Sequence, residues 1–156
     1  MDSSELSLLL KGISDWRPFT EYTIRRAPTR PGVYVIRMAG GRRFGRLRGE
    51  SDILYIGSTE RGLRERLQEY LHPGPTQWTN KRVNQLAKKY EMEVAWYPCD
   101  EAGNLEHQLL RRYLEQHDEL PPLNHASRKK LKKTLVETIR VSDEGTPRSV
   151  PTNNKD

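Results

Sequence analysis

Two short apolar runs, each carrying a tyrosine and each stopping at glycine, constrain this chain more than any other feature. The first runs from Gly32-Val33-Tyr34 through Met38 to Gly40-Gly41; the second is Ile53-Leu54-Tyr55-Ile56, followed by Gly57. β-Branched and aromatic residues favour a pleated strand. In the first run Val33, Val35 and Met38 interleave with Tyr34 and Ile36, so nearly every position is apolar and both faces of the strand are expected to be covered.

What can cover them is bounded by length. The chain has 156 residues, of which 34% are hydrophobic, enough for one modest core. Helical spacing supplies the cover: Leu63, Leu67, Tyr70 and Leu71 share one face of a helix opened by Ser58 or Thr59 and stopped by Pro73-Gly74-Pro75. A second helix, with Thr79 as its cap, places Val83, Leu86, Ala87 and Tyr90 inward and Lys81, Arg82, Lys88 and Lys89 outward. Met92, Val94 and Trp96 alternate with Glu93, Ala95 and Tyr97 in a third strand. A last helix, capped by Asn104, presents Leu105, Leu109, Leu110, Tyr113 and Leu114 before Pro121-Pro122. The order strand, strand, helix, helix, strand, helix predicts an α+β fold with a small three-stranded antiparallel sheet.

Outside this core, residues 1–29 hold one apolar patch, Leu6 to Leu10, and then Gly12, Pro18 and Pro28. They are expected to form an extension packed on a domain spanning 30–126. A basic segment, 127–141, and a polar tail, 142–156, expected to be disordered, follow. Gly45 and Gly49 mark Arg42 to Glu50 as a long hairpin connection or solvent-facing loop.

Several residues offer chemistry. Tyr34 and Tyr55 read as half-buried strand aromatics, but Gly57 permits close backbone approach beside them, and Arg66 sits on the next helix. Glu106 projects toward the apolar side of its helix, where a carboxylate is costly unless paired or metal-bound; its ordinary reading is a first-turn acid favoured by the helix dipole. A lone carboxylate with water ligands is one way Mg²⁺ is held against a phosphate. These residue types suit phosphodiester hydrolysis: a tyrosine phenolate to deprotonate water, an arginine to neutralise phosphate charge, and a cation on a carboxylate. Cys99 is the sole cysteine, which excludes an intrachain disulfide and a CxxC zinc site. His72, His107, His117 and His125 lack metal-ligand spacing and read as surface or supporting residues.

Gly32-Val33-Tyr34, Tyr55-Ile56-Gly57-Ser58-Thr59, the helix Leu63 to Tyr70, Glu106 and Asn124, in that order, resemble the GIY-YIG nuclease domain over roughly Arg30 to His125. The resemblance implies a β-β-α-α-β-α domain that cleaves DNA with one divalent metal, Mg²⁺ or Mn²⁺. It implies that Tyr34 and Tyr55 are the paired tyrosines, one of which acts as general base or positions the water. Arg66 matches the helix arginine, with Arg64 as the alternative, Glu106 the metal-binding glutamate, and Asn124 the late asparagine that shapes the site. Tyr70 falls where some members have histidine and the excision-repair subunit has tyrosine. Gly32 and Gly57 match the glycines of the backbone turns. Val33 replaces the isoleucine of the family name. Ser58 stands where the repair enzymes carry lysine and the homing type carries serine, and the turn before Leu63 is one residue longer.

A formal net charge of +6 makes a polyanionic partner worth considering. Candidate DNA contacts are Arg42 and Arg43 in the loop, Lys81 and Arg82 on the second helix, and Arg128, Lys129 and Lys130 beyond Asn124. The reading is a metal-dependent DNA endonuclease acting on duplex or branched DNA. The alternatives are a non-cleaving nucleic-acid-binding module of the same fold and a subunit that needs a partner protein for targeting; a homodimer is also open. Leu8-Leu9-Leu10 is too short to cross a bilayer and no signal-peptide pattern precedes it, so a cytoplasmic protein is expected. Repair, restriction, recombination and mobile-element roles would use the same core.

Overall fold

In the computed structural model, residues 15–124 are described. Leu6 to Leu10, His125, the basic segment with Arg128, Lys129 and Lys130, and the polar tail lie outside them. The main sheet is entirely antiparallel, built on β2 (Gly32–Met38), β5 (Ile53–Thr59) and β6 (Met92–Pro98), with β2 in the centre. A fourth strand, β1 (Arg17–Pro18), extends the expected three at the β6 edge. Pro18 has no N–H to offer, which suits it to an edge. Residues 15–30 therefore take part in the sheet, and they also send Phe19, Ile24 and Ala27 into the core. The connection after β2 is a short ribbon of β3 (Phe44–Gly45) and β4 (Glu50–Ser51), as a hairpin reading anticipates.

The apolar runs are buried on both sides. On one face Tyr34, Ile36, Met38 and Leu54 pack with Met92 and Val94 beneath α1 (Glu21–Ile24), α2 (Leu63–Leu71) and α3 (Trp78–Lys89), which contribute Ile24, Leu63, Leu67, Tyr70 and Val83. On the other, Val33, Val35, Ile53, Ile56 and Ala95 meet Leu109, Leu110 and Tyr113 of α4 (Ala102–His117). A bulge separates Ile36, opposite Tyr55, from Arg37, opposite Ile53, and leaves Leu54 as the extra residue. Leu54 and Tyr55 thereby join one face although they are sequence neighbours.

Three expected helix starts are corrected. Ser58 and Thr59 belong to β5, and α2 opens at Gly62 instead. Its first N–H groups are satisfied from outside: Leu63 and Arg64 donate to the carbonyls of Arg30 and Pro28 at 2.9 and 3.0 Å. A Cβ on Gly62 would stand 2.8 Å from the Thr29 carbonyl, so this packed seam, not a side-chain cap, fixes the helix start. Helix α3 begins at Trp78 after Gln77, one residue ahead of Thr79. Helix α4 begins at Ala102 after Glu101, which places Asn104 in its first turn. His117 is buried, its ring 4.4 Å from that of Tyr113 and its Nδ1 2.9 Å from the Arg48 carbonyl, so it supports the fold rather than the surface.

Candidate functional site

Strand β5 is an edge of the sheet, and the predicted side chains gather around its second half. Tyr34 lies opposite Gly57 and Val33 opposite Ser58. Cross-strand partners share a face, so the Tyr34 side of β5 is bare of side chain at Gly57. That vacancy is required: a Cβ there would stand 2.5 Å from the Tyr34 hydroxyl and 2.6 Å from the Tyr55 ring. Gly32 has a packing reason of its own, since its Cβ would meet the Tyr97 carbonyl at 2.5 Å.

Over Gly57 the rings of Tyr34, Tyr55 and Tyr70 form a triangle with centroids 5.9–6.1 Å apart. The Tyr34 and Tyr70 hydroxyls are hydrogen-bonded at 2.6 Å. Arg66 donates to the Tyr70 hydroxyl at 2.9 Å and lies over its ring, 4.4 Å from the centroid. Helix geometry makes this contact: residues four apart share a face, so Arg66 and Tyr70 stand together. Arg64 points elsewhere, its Nε donating to the Ala27 carbonyl at 2.9 Å. Of the two arginines only Arg66 reaches the tyrosines.

Two residues not foreseen from the sequence hold that guanidinium. Asn80, buried on α3, accepts from both its terminal nitrogens through Oδ1 at 3.2 and 3.3 Å, and Glu69 accepts at 2.9 Å. Asn80 in turn donates to Gln77 at 2.8 Å. A polar residue at a helical position facing the core was the available signal: Asn80 lies three residues before Val83, on the inward face.

Electrostatics bind the cluster together. Burial pushes the Tyr34 hydroxyl far above the ordinary tyrosine value, assisted by Tyr55 and by the Glu106 charge, while Arg66 and the Tyr70 hydrogen bond oppose the rise. Tyr70 is raised well above it by burial and then by Tyr34 and Tyr55. Burial alone would lower the pKa of Arg66, but the three tyrosines and Glu69 more than offset it and the guanidinium stays charged.

Glu106 approaches from the other face of β5. It is only 8% exposed, as its position on the apolar side of α4 predicts. The Ser58 hydroxyl donates to its Oε2. Tyr34 and Glu106 thus meet β5 at adjacent residues, Gly57 and Ser58, from opposite sides. Among the described residues no group of three or more His, Cys, Asp or Glu side chains could hold a metal ion. The available set is one carboxylate with a hydroxyl beside it. Such hard oxygen donors fit a cation such as Mg²⁺ that keeps several waters, and they do not fit zinc.

Asn124 closes the edge. Its carboxamide pairs with the Ile56 peptide unit in both directions, Oδ1 accepting from the amide at 3.0 Å and Nδ2 donating to the carbonyl at 2.8 Å. Leu123 N–H donates to the Leu54 carbonyl at 3.1 Å. Residues 123–124 therefore act as a short extra strand that holds the segment between Tyr55 and Gly57 in place.

The basic candidates are spread out. Arg42 and Arg43 follow the far end of β2 from Gly32; Arg42 lies 4.8 Å over the Tyr90 ring, and Arg43 donates to the Glu50 carbonyl at 3.0 Å. Neither is brought to the tyrosines. Lys81 and Arg82 are exposed on α3.

No protein-family model matches the chain, and no curated protein matches it. Among solved structures, it is similar to the magnesium-bound GIY-YIG N-terminal endonuclease domain of UvrC from Thermotoga maritima, at 26% identity and a TM-score of 0.42, over 67% of this chain and 93% of that one. Two point mutants of the same domain, bound to its catalytic divalent cation, are similar at 25% identity, the same TM-score and the same coverage.

Proposed function

We propose that this chain is a divalent-metal-dependent DNA endonuclease of the GIY-YIG type, with its nuclease domain in residues 30–126. The observation that carries the reading is the continuous contact from Tyr34 to Tyr70 to Arg66, at 2.6 and 2.9 Å, beside a buried carboxylate held by Ser58 on the same strand. The Ser58 hydroxyl holds that carboxylate at the strand residue next to Gly57, on the side opposite the tyrosines.

Each part has a role in hydrolysis. Arg66, fixed in orientation by Asn80 and Glu69, directs positive charge to where the non-bridging phosphate oxygens gain charge. Tyr34 and Tyr55 orient the attacking water, and its proton passes to whichever of them is ionised as the new P–O bond forms and the P–O bond to the leaving oxygen breaks. The raised Tyr34 keeps its own proton at neutral pH. If it is the base, cleavage accelerates as pH rises above neutral. Tyr70 holds both Tyr34 and Arg66. A cation on Glu106 would supply charge stabilisation for the leaving oxygen.

The test is cleavage of supercoiled plasmid with Mg²⁺ or Mn²⁺ and with EDTA. Wild type is expected to nick it only with metal, and Glu106→Gln to lose the activity while retaining its fold by circular dichroism. Metal-independent cutting, or equal cutting by Glu106→Gln, would refute the reading.

A further inference from the structure

The terminal nitrogens of Arg66 are engaged before any phosphate arrives. A guanidinium offers five N–H donors in a fixed fork. The four on the terminal nitrogens are met by Glu69 Oε2 at 2.9 Å, the Tyr70 hydroxyl at 2.9 Å and Asn80 Oδ1 twice, at 3.2 and 3.3 Å. Paired recognition of a phosphate takes two donors, and only the Nε–H stands outside this set. One of the three acceptors therefore gives way when Arg66 engages an anion.

The three are not equally able to leave. Tyr70 is fully buried, and its hydroxyl is also bonded to that of Tyr34 at 2.6 Å. Asn80 is buried, and its amide donates to Gln77 at 2.8 Å. Glu69 is an anion, like the ligand it would make way for, and its side chain is 27% exposed. Its other oxygen, Oε1, already accepts from Arg61 at 2.5 Å. Arg61 is fixed by contacts of its own: its amide donates to Thr59 Oγ1 at 3.2 Å, at the end of β5, and its Nη1 to Glu65 at 2.9 Å. A carboxylate that leaves Arg66 thus keeps a cationic partner, and no charge is stranded.

We propose that Glu69 occupies the phosphate-binding donors of Arg66 in the free protein and releases them on DNA binding, its carboxylate passing to Arg61. Asn80 and Tyr70 keep the guanidinium oriented through the exchange. Glu69 is thereby a positioning residue that sets how strongly Arg66 takes a DNA phosphate, and the proposal rests on the nuclease reading for the identity of that anion.

Fluorescence anisotropy of the full chain with a labelled DNA duplex in EDTA tests it. Glu69→Gln, which keeps the shape and loses the charge, is expected to bind about 2- to 5-fold tighter than wild type, the worth of a partly exposed ion pair. In an Arg66→Ala background the same change is expected to have no effect, whereas a general loss of repulsion would tighten binding there too. Arg61→Ala is expected to weaken binding when Glu69 is present and to have no effect once Glu69→Gln is in place. In multiple-turnover cleavage Glu69→Gln lowers KM, where a purely orienting role would show as a loss of kcat. Binding by Glu69→Gln no tighter than wild type, tightening that survives Arg66→Ala, or an equal loss from Arg61→Ala in both backgrounds overturns the proposal. Plasmid cleavage separates it from the nuclease reading. A chain that cuts with metal but shows no tightening in Glu69→Gln loses only the role of Glu69, whereas a chain with that tightening and no cleavage keeps the role and loses the nuclease reading.

Discussion

Tyr34 and Tyr70 share a short hydrogen bond in a fully buried setting, and Arg66 donates to the second hydroxyl. Both tyrosines hold their protons more tightly in the folded chain than in the unfolded one. Below the ordinary value of 10.0 both states are protonated and the full stability is present. Above it the unfolded tyrosines ionise first, so stability falls as pH rises, by up to about 1.4 kcal/mol per pH unit for each group. Urea denaturation across this alkaline range is expected to show a shallower decline for Tyr34→Phe than for wild type; equal slopes would mean that Tyr34 is not protected. Asn80→Ala addresses the other end of the contact. It leaves a partly buried guanidinium without one of its acceptors and is expected to destabilise by about 1 kcal/mol. Cleavage should fall with it, because Arg66 loses its fixed orientation, and Asn80→Asp, which retains an oxygen acceptor, should be the milder change.

Strand β5 shows what holds the site in register. Asn124 gives it two hydrogen bonds that an edge strand otherwise lacks. Asn124→Ala is expected to cost about 1–3 kcal/mol from two bonds of ordinary net worth and to speed hydrogen exchange at the Ile56 amide; an unchanged exchange rate would show that the edge is held by other means. Gly57→Ala is expected to be more damaging to the site than to the sheet, since its Cβ falls 2.5 Å from the Tyr34 hydroxyl. The strands themselves were legible in the sequence because Val33 to Ile36 and Ile53 to Ile56 are β-formers, and the helices because Leu63, Leu67 and Tyr70 keep a helical period. The bulge at Leu54 was not, since it depends on pairing between distant residues. Neither was the start of α2, where carbonyls of Pro28 and Arg30 replace a capping side chain. For the site, Glu106 could be found because a carboxylate on an apolar face contradicts its surroundings. Asn80 carried the weaker signal of a polar residue on the inward face of α3, and the contact of Ser58 with Glu106 depends on pairing between distant elements.

At the scale of the molecule, positive charge and local structure have separate tasks. Arg46 ion-pairs with Glu119 at 3.0 Å and Arg48 with Asp118 at 3.5 Å, so part of the basic loop fastens the far end of α4. Lys81 and Arg82 remain on an exposed helix face. Neutralising both is expected to weaken DNA binding and to reduce the salt slope by roughly one to two units, where the same change at Arg46 leaves the slope in place and lowers stability instead. Among the described residues no helix is long and apolar enough to cross a membrane. What unites these parts is the claim that Tyr34, Arg66 and Glu106 act as one site around β5. Single-turnover cleavage by Tyr34→Phe, Arg66→Lys and the double variant tests it. Each single change is expected to slow cleavage by about 10²- to 10³-fold, and the double variant to be slowed far less than the product of the two, as residues acting as a unit behave. Multiplying losses, or a single variant that cuts as fast as wild type, would contradict it.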